Sequence, residues 1–191
     1  MNKLSHIGVT RNYCKNTKVK HKLSLQFGSI LSDILVYTYA YGHSYNQSLE
    51  HMIELISSLQ TKKKESLINS IKMGYILHYF QDFFTYPHNT NYPGTIVEHG
   101  TYEMSLLNRI RKGNLPQTYD SFARCMNKEE LLEYIMLLHA SYETKPQGIE
   151  NDLFYITQVT NDITSYLQHQ FQMNATRTPI VEELVPTHHY N

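Results

Sequence analysis

The chain has 191 residues, enough for one domain with a sizeable hydrophobic core. Hydrophobic residues make up 41% and charged residues 18%, a balance typical of a globular protein rather than of a disordered one. The 17 basic and 17 acidic side chains cancel, which removes the electrostatic argument for a nucleic acid or an anionic membrane surface as partner.

The cysteines and the N-terminal residues bear on the cellular compartment. Cys14 and Cys125 are too few for a disulfide framework and predict free thiols. The N-terminal residues have neither the apolar segment nor the cleavage site of a signal peptide, and no apolar run reaches the roughly 20 residues of a membrane-spanning helix. We therefore expect a cytoplasmic protein, although a secreted form whose signal was already removed would have the same sequence.

The hydrophobic periodicity is helical along the first half of the chain. Apolar residues recur at three- and four-residue steps over 22–40, and Gly42 follows as a stop signal. A second helix is expected over 46–60. A long helix should extend from about Glu65 to Tyr86, because Pro87 disfavours the helical conformation of the residue before it.

The second half of the chain continues the helical pattern. The turn-forming sequence NTNYPGT predicts a loop over 89–95. Further helices are expected over 97–112, 127–143 and 149–173, with Asn127 and Glu130 forming a capping box. Because no segment alternates like a β-strand, we predict an all-α fold. It would be a single compact domain of six or seven helices over residues 1–175, followed by a C-terminal tail over 176–191.

One stretch of the chain gathers side chains that are typical metal ligands. Its candidates are His78, Asp82, His88, His99 and Glu103. The first histidine and the aspartate are four residues apart, as are the last histidine and the glutamate, so each pair shares one face of a helix. One such pair is common by chance on an ordinary amphipathic helix. Two pairs around a Pro-His turn favour a metal site, and imidazole with carboxylate suits zinc.

Two residues upstream are consistent with a metal site without requiring one. Gly74 lies one turn before His78, and a glycine inside a helix costs up to ~1 kcal/mol relative to alanine. It indicates close approach of a ligand or a backbone, and simple helix packing explains it equally well. Asp33 lies among apolar neighbours, where a carboxylate needs a partner or a metal unless it faces water.

The pattern as a whole resembles the zinc-dependent phospholipase C family, which is similar in fold to the P1-type nucleases that cleave single strands. The strongest resemblance is in GYILHYFQDFFTYPH followed by HGTYE. The segments SHIGV, GSILSDI and GHSYNQSLEHM resemble further family segments and supply His6, Asp33 and His43. In this chain Ser32 replaces the usual proline, and His21 is a second candidate for the early histidine. The resemblance covers roughly residues 5–105.

The resemblance implies a polynuclear site of two or three zinc ions within the helical domain. The ligands implied for a first zinc are Asp33, His43, His78 and Asp82. Those implied for a second zinc are His88, His99 and Glu103. Those implied for a third zinc are His6, a bridging Asp82 and main-chain groups of the N-terminus.

The activity implied by the resemblance is that of a phosphoric diester hydrolase. A zinc-activated water would attack a phospholipid or a related phosphate ester, and Asp33 would act as the general base. The substrate would be the partner, with at most peripheral contact to a membrane. The alternatives are a P1-type nuclease and a catalytically inactive zinc-binding protein. The basic clusters over 62–64 and 109–112 give little support to a nuclease, since solvated helix ends explain both.

Aromatic residues lie between the candidate ligands and allow two interpretations. They are Phe80, Phe83, Phe84, Tyr86 and Tyr92. They would either form an apolar rim beside the metals or pack their helix into the core, and core packing is the more common role of aromatic residues on a helix face.

Overall fold

A computed structural model of the chain describes residues 1–35, 44–89, 92–113, 115–117 and 121–176. These residues form eight α-helices and no β-strand, which confirms the predicted all-α fold. In chain order the helices are α1 (Lys3–Asn16), α2 (Lys22–Gly28), α3 (Leu31–Ile34), α4 (Tyr45–Gln60), α5 (Leu67–Phe83), α6 (Ile96–Arg111), α7 (Lys128–Thr144) and α8 (Ile149–Thr176). Two 3-10 turns, Tyr86–His88 and Phe122–Cys125, lie between α5 and α6 and between α6 and α7.

Side chains cap the first turn of several helices. The capping residues with this bond are Asn2, Ser66, Thr95 and Asn127. At the last two, a glutamate three residues further on bonds back to the backbone of the cap, which completes a capping box. The box predicted for Asn127 and Glu130 is therefore confirmed.

Helix α1 has no counterpart among the helices predicted from the sequence. Its residues Ser5, His6 and Thr10 are all fully buried. A helix that buries polar residues lacks a clean apolar stripe, so the periodicity that identifies the other helices is blurred here. The helix packs against α2, α6 and α8 and brings His6 into the interior of the protein.

The continuous helix predicted over 22–40 is wrong. Helix α2 ends at Gly28, α3 begins at Leu31, and Ser29 and Ile30 interrupt the two. The interruption leaves the carbonyl of Ser29 available to a side chain rather than to the next helical turn. Residues 36–43, which include the predicted stop at Gly42, lie outside the described part of the chain.

Helices α2 and α5 meet at two glycines where neither backbone has room for a side chain. A Cβ atom on Gly28 would stand 2.1 Å from the carbonyl oxygen of Ile71. A Cβ atom on Gly74 would stand 2.1 Å from the carbonyl oxygen of Leu25. Helix packing therefore accounts for the glycine inside α5, and it places the end of α2 beside the next turn of that helix.

Helix α5 is the central helix of the fold. It packs against α1, α2, α4 and α8, and its second half is buried on every side. Phe80, Phe83 and Phe84 are each 0% exposed, which confirms core packing for these three and rules them out as a rim beside the metals. The helix ends at Phe83, three residues earlier than expected, and Pro87 lies in the 3-10 turn that follows.

The cysteines, the absence of a membrane span and the C-terminal tail were also predicted from the sequence. Cys14 is buried and Cys125 is exposed, and both are free thiols as predicted. Among the described residues no helix combines the length and the apolar character needed to cross a membrane. Helix α8 continues to Thr176, and residues 177–191 of the predicted tail lie outside the described ranges.

Candidate metal centre

Helix α5 carries two of the predicted ligands, His78 and Asp82, in its buried half. The two residues are 0% and 1% exposed, and they share one face because they are four positions apart. Nε2 of His78 lies 3.3 Å from Oδ2 of Asp82 and 4.0 Å from Oδ1 of Asp33 on α3. Asp33 is partly exposed, with a side-chain exposure of 19%. The interruption after α2 thus brings a third ligand candidate to the α5 pair.

The tautomer of His78 is set by the backbone of the interrupted segment. Nδ1 of His78 lies 3.1 Å from the carbonyl oxygen of Ser29, and a carbonyl can only accept, so Nδ1 is the donor. In a neutral imidazole the lone pair is then on Nε2, the nitrogen that faces the carboxylates. Histidine ligands are commonly oriented by such a bond from their other nitrogen.

The orientation of His6 is set by a chain of buried side chains. Its Nδ1 lies 2.7 Å from Oε1 of Gln81. The amide nitrogen of Gln81 donates to Thr160 over 3.1 Å, and the Thr160 hydroxyl donates to the carbonyl of Ile156. Because Thr160 accepts from the amide, the oxygen of Gln81 faces His6 and accepts its Nδ1 proton. This arrangement also points Nε2 of His6 toward Asp82, at 3.4 Å from Oδ1.

The environment of His6 fits a cation. Burial, with the neighbouring His78 ring, lowers the pKa of His6 from 6.5 to about 3, so the ring is neutral at physiological pH. Its Nε2 is buried and has no hydrogen-bond partner among the described residues. A lone pair that faces a carboxylate at this distance is repelled unless a positive ion lies between them. The donor set of imidazole nitrogen and carboxylate oxygen is also the set that zinc prefers.

Asp82 lies between two groups of candidate ligands. Its Oδ1 faces Nε2 of His6, whereas its Oδ2 faces Nε2 of His78 and, at 3.7 Å, Nδ1 of His88. Burial by itself would raise the pKa of Asp82. Electrostatic interactions with the His88 ring, the Met1 amino group and the rings of His6 and His78 outweigh that effect and hold the pKa of Asp82 well below its usual value. The carboxylate is therefore ionised and open to bridging on both oxygens.

A second group is formed by His88, His99 and Glu103. Oε1 of Glu103 lies 3.0 Å from Nε2 of His99 on the previous turn of α6 and 3.3 Å from Nε2 of His88. Burial would raise the pKa of Glu103, but hydrogen bonds from both histidines and the nearby Met1 amino group lower it from 4.5 to about 2. The ligand atoms of this group lie within 4.8 Å of one another, as do those of His6, Asp33 and His78.

The amino group of Met1 lies at the junction of the two groups. It forms an ion pair with Oδ1 of Asp82, lies 3.4 Å from Oε1 of Glu103 and lies 2.8 Å from Nε2 of His88. Met1 is 3% exposed, so this nitrogen is enclosed with the side chains that surround it. This nitrogen therefore lies within reach of both groups of candidate ligands.

Asp152 at the start of α8 supports the second group without joining it. Its Oδ2 accepts the backbone N–H of Tyr86 at 2.9 Å and the hydroxyl of Tyr102 at 2.7 Å, and its Oδ1 accepts the hydroxyl of Tyr142 at 2.8 Å. Tyr86 begins the turn that holds His88, and Tyr102 precedes Glu103. Burial, opposed by these bonds, raises the pKa of Asp152 from 3.8 to about 6.

The structure therefore brings together seven of the eight predicted site residues: His6, Asp33, His78, Asp82, His88, His99 and Glu103. The eighth, His43, lies outside the described residues. His21, the rival of His6, joins neither group of candidate ligands in the described part of the chain. The backbone N–H of His21 donates to Glu65, whereas Nε2 of His6 lies 3.4 Å from Oδ1 of Asp82.

A cavity of about 570 Å³ opens beside the second group and reaches Asp33. Asp33, His88 and Glu103 form part of its wall. The rest is mainly apolar, from Leu4, Met104 and Leu107, with the cationic side chains Lys3 and Arg111. The cavity is large enough to accept a phosphate ester together with an apolar group attached to it.

Fold and site together define an all-α protein in which buried histidines and carboxylates converge from α1, α3, α5, α6 and the turn before α6. The family described as zinc dependent phospholipase C matches residues 5–148, most of the chain. The chain belongs to this family, and membership indicates dependence on zinc. The matched region contains all the predicted ligands and ends just before α8. Neither the curated proteins nor the solved structures provide a match to the chain.

Three groups that orient the candidate ligands were not predicted from the sequence. They are the Ser29 carbonyl, Gln81 and Asp152. The first depends on where α2 stops, which the periodicity did not reveal. Gln81 had a usable signal, since it lies beside Asp82 on a helix whose neighbouring residues are almost all apolar or aromatic. Asp152 had none, because an acidic residue in the first turn of a helix is ordinary.

Proposed function

We propose that the chain is a zinc-dependent phosphodiesterase that hydrolyses phospholipids. The observation that carries the proposal is the position of Asp82, whose two oxygens face nitrogens of three different histidines at 3.3–3.7 Å. The lone pairs of His6 and His78 face this ionised carboxylate, and such an arrangement favours a cation between nitrogen and oxygen. Clustered metal ions of this kind serve phosphoryl transfer, and membership of the phospholipase C family supports the same chemistry.

The geometry supports a division of the ligands among two or three ions. The first ion would take Asp33, His78 and Asp82, together with His43. The second would take His88, His99 and Glu103. The third would take His6, Asp82 and, after loss of a proton, the amino group of Met1. This division is supported by the two oxygens of Asp82, since one faces His6 and Met1 while the other faces His78.

The catalytic contribution of the protein would be to hold these groups in a fixed protonation state. Zinc, when bound, polarises the phosphate ester and lowers the pKa of a water molecule. His6 and His78 keep their lone pairs on Nε2 because Gln81 and Ser29 accept their other protons. Asp33 lies in the cavity wall and is partly exposed, so it can accept the proton that a water loses.

The cavity supports a lipid as the substrate. The ester phosphate would lie against Asp33, His88 and Glu103, where the candidate ligands reach the wall. The apolar part of the lipid would lie along Leu4 and Met104. A nuclease would instead require an aromatic stacking surface, and three of the five aromatic residues that lie between the candidate ligands are buried in the core.

The deciding experiment offers three substrates to the zinc-loaded protein. They are phosphatidylcholine in micelles, single-stranded DNA and a chromogenic phosphodiester. We expect release of diacylglycerol and of the chromophore and no cleavage of DNA. Cleavage of DNA alone would indicate a nuclease and contradict the proposal. No cleavage of any of the three substrates would indicate a catalytically inactive zinc-binding protein.

Variants connect the activity to this site. Asp33→Asn should lose at least about 100-fold in rate, the scale of a general base, and should weaken binding of the first zinc, of which Asp33 is a proposed ligand. Asp162→Asn is the control, since Asp162 is another hydrogen-bonded aspartate but contacts Ser121, Tyr134 and Gln158 instead of the candidate ligands. Equal losses in the two variants would contradict the role of Asp33.

A further inference from the structure

Four large apolar side chains near the candidate metal centre face solvent; we call Leu4, Ile96, Val97 and Met104 the apolar patch. Their exposed fractions are 52%, 92%, 77% and 52% in that order. A single exposed apolar residue is normal on a protein surface, whereas a group of them beside a functional cavity marks an interaction surface.

The patch is continuous with the candidate site. Leu4 and Met104 form part of the cavity wall that also contains Glu103. Ile96 is three residues before His99 and seven before Glu103, so it shares their helix face and lies about 10 Å from Glu103 along the axis. Val97 is likewise seven residues before Met104, so these two side chains also share one helix face. The face of α6 that carries two candidate ligands is therefore apolar in its first turn.

This exposure is peculiar to one end of the helix. In the second half of α6, Leu106 and Ile110 are 0% and 7% exposed, because that part of the helix packs against α1. The packing is so close that a Cβ atom on Gly8 would stand 2.6 Å from a methyl group of Ile110. Ile96 and Val97 have no comparable role in the core, so the fold does not explain why they are apolar.

The first turn of α6 holds these two residues in an ordered position. Oε2 of Glu98 accepts the backbone N–H of Thr95 at 2.7 Å, and Oγ1 of Thr95 accepts the backbone N–H of Glu98 at 3.3 Å. A capped helical turn that inserts into another phase loses little conformational entropy, unlike a loop. The capping box therefore favours insertion of the two side chains that follow it.

We propose that the apolar patch docks the protein on the surface of a phospholipid bilayer, with Ile96 and Val97 inserted among the acyl chains. The proposal rests on the proposed function, because a bilayer is where a phospholipid substrate lies. The patch and the cavity open on the same side of α6, so docking presents the cavity to the membrane. The chain has no net charge, which favours apolar insertion as the main source of binding, and the test below uses uncharged phosphatidylcholine vesicles.

The test is sedimentation of the zinc-loaded protein with vesicles of pure phosphatidylcholine. The bound fraction should change little with salt, since insertion of apolar side chains is not screened. The double variant Ile96→Ser/Val97→Ser should partition at least about tenfold less, because two apolar side chains no longer leave water. Its melting temperature and zinc content should match those of the wild type, since both side chains are exposed.

A matched control is available at the start of α5. Leu67 and Ile68 are also an adjacent apolar pair behind a capping residue, Ser66, and are 59% and 67% exposed. They lie about 15 Å or more along the helix from His78, at the end away from the candidate ligands. Leu67→Ser/Ile68→Ser should leave vesicle binding unchanged. An equal loss in both double variants would overturn the proposal, as would a wild type that fails to bind vesicles.

Two further measurements distinguish membrane docking from self-association and from catalysis. If the patch instead binds a second copy of the chain, light scattering will show a dimer that the Ile96→Ser/Val97→Ser variant loses, which would overturn membrane docking. Hydrolysis of a short-chain phospholipid below its micelle concentration tests the proposed function without a membrane. If the protein does not hydrolyse this lipid but still binds vesicles, the proposed phosphodiesterase activity is refuted and the docking proposal is not.

Discussion

His78 donates a hydrogen bond from Nδ1 to the backbone carbonyl of Ser29 over 3.1 Å, and this bond decides which of its nitrogens faces Asp82. The carbonyl is available because α2 stops at Gly28. That stop lies where Gly28 packs against the backbone of α5, one turn before His78. Helix packing and ligand orientation are therefore two consequences of the same contact.

Gly74→Ala tests this connection. The new methyl group would stand 2.1 Å from the carbonyl oxygen of Leu25, so α2 must move away from α5. We expect a loss of about 1–3 kcal/mol in the free energy of unfolding, as for other overpacked sites, together with weaker zinc binding. Urea unfolding and a competitive zinc titration measure the two effects. Gly100→Ala is the control, since no atom of another described segment lies within 4 Å of the added methyl group. It should be neutral or stabilising by up to ~1 kcal/mol.

Gln81→Leu should weaken zinc binding while leaving the fold in place. The variant removes the acceptor of the His6 Nδ1 proton, so the imidazole loses its fixed orientation. Loss of such a supporting bond typically costs 10–100-fold in metal affinity, on the order of what we expect here. Zinc titration against a chelator is the measurement. Gln158→Leu, which removes a glutamine bonded to Asp162, should leave the affinity unchanged.

Asp152→Ala should affect the second group of ligands in particular. Three donors lose their acceptor, and two of them belong to the segments that carry His88 and Glu103. Asp162→Ala is the comparison. Asp162 lies on the same helix as Asp152 and also accepts hydrogen bonds from three donors. Both variants should be destabilised by more than about 1 kcal/mol. Only Asp152→Ala should lower zinc occupancy, and equal occupancy in the two would contradict the positioning role.

Asp82→Asn should lose more than one zinc ion and all activity. An amide cannot supply two anionic oxygens, so the nitrogens of His6, His78 and His88 would face a neutral group. Metal analysis after dialysis measures the effect. Glu103→Gln changes a carboxylate of the second group alone and should lose a single ion. A fully metallated, active Asp82→Asn protein would refute the bridging role.

The stability of the metal-free protein should depend on pH through His6. The folded-state pKa of about 3 lies below the ordinary value of 6.5, so between these values the unfolded chain binds a proton that the folded chain does not. Stability should therefore fall as pH decreases from 6.5 toward 3, by about 1.4 kcal/mol per pH unit from this group. Urea unfolding of the chelator-treated protein measures the slope.

His6→Gln isolates the contribution of this histidine. The variant should have a smaller slope between pH 4.5 and 6.5, above the ordinary pKa of Glu103. Asp152 contributes in the opposite sense below pH 6, because burial raises its pKa, but it is present in both proteins. An unchanged slope would show that His6 is not held neutral in the folded state.

The sequence predicted those features that repeat over short distances. The i,i+4 spacing identified the pairs His78–Asp82 and His99–Glu103, and the capping sequence at Asn127 located the start of α7. Periodicity failed where polar groups are buried, as along α1, and where packing interrupts a helix, as at Ser29. Both failures lie at the candidate site, since α1 supplies His6 and the interruption supplies an acceptor to His78.

By itself, the sequence determined that the protein is helical, that it carries imidazole and carboxylate at metal-ligand spacing, and that it resembles its family. Only the tertiary structure decided that His6 and not His21 lies beside Asp82, which nitrogens of His6 and His78 face that carboxylate, and that Asp82 is central among the candidate ligands. The physical reason is one of range. Spacing along a helix fixes which neighbours share a face, whereas hydrogen bonds between distant segments fix where each donor atom points.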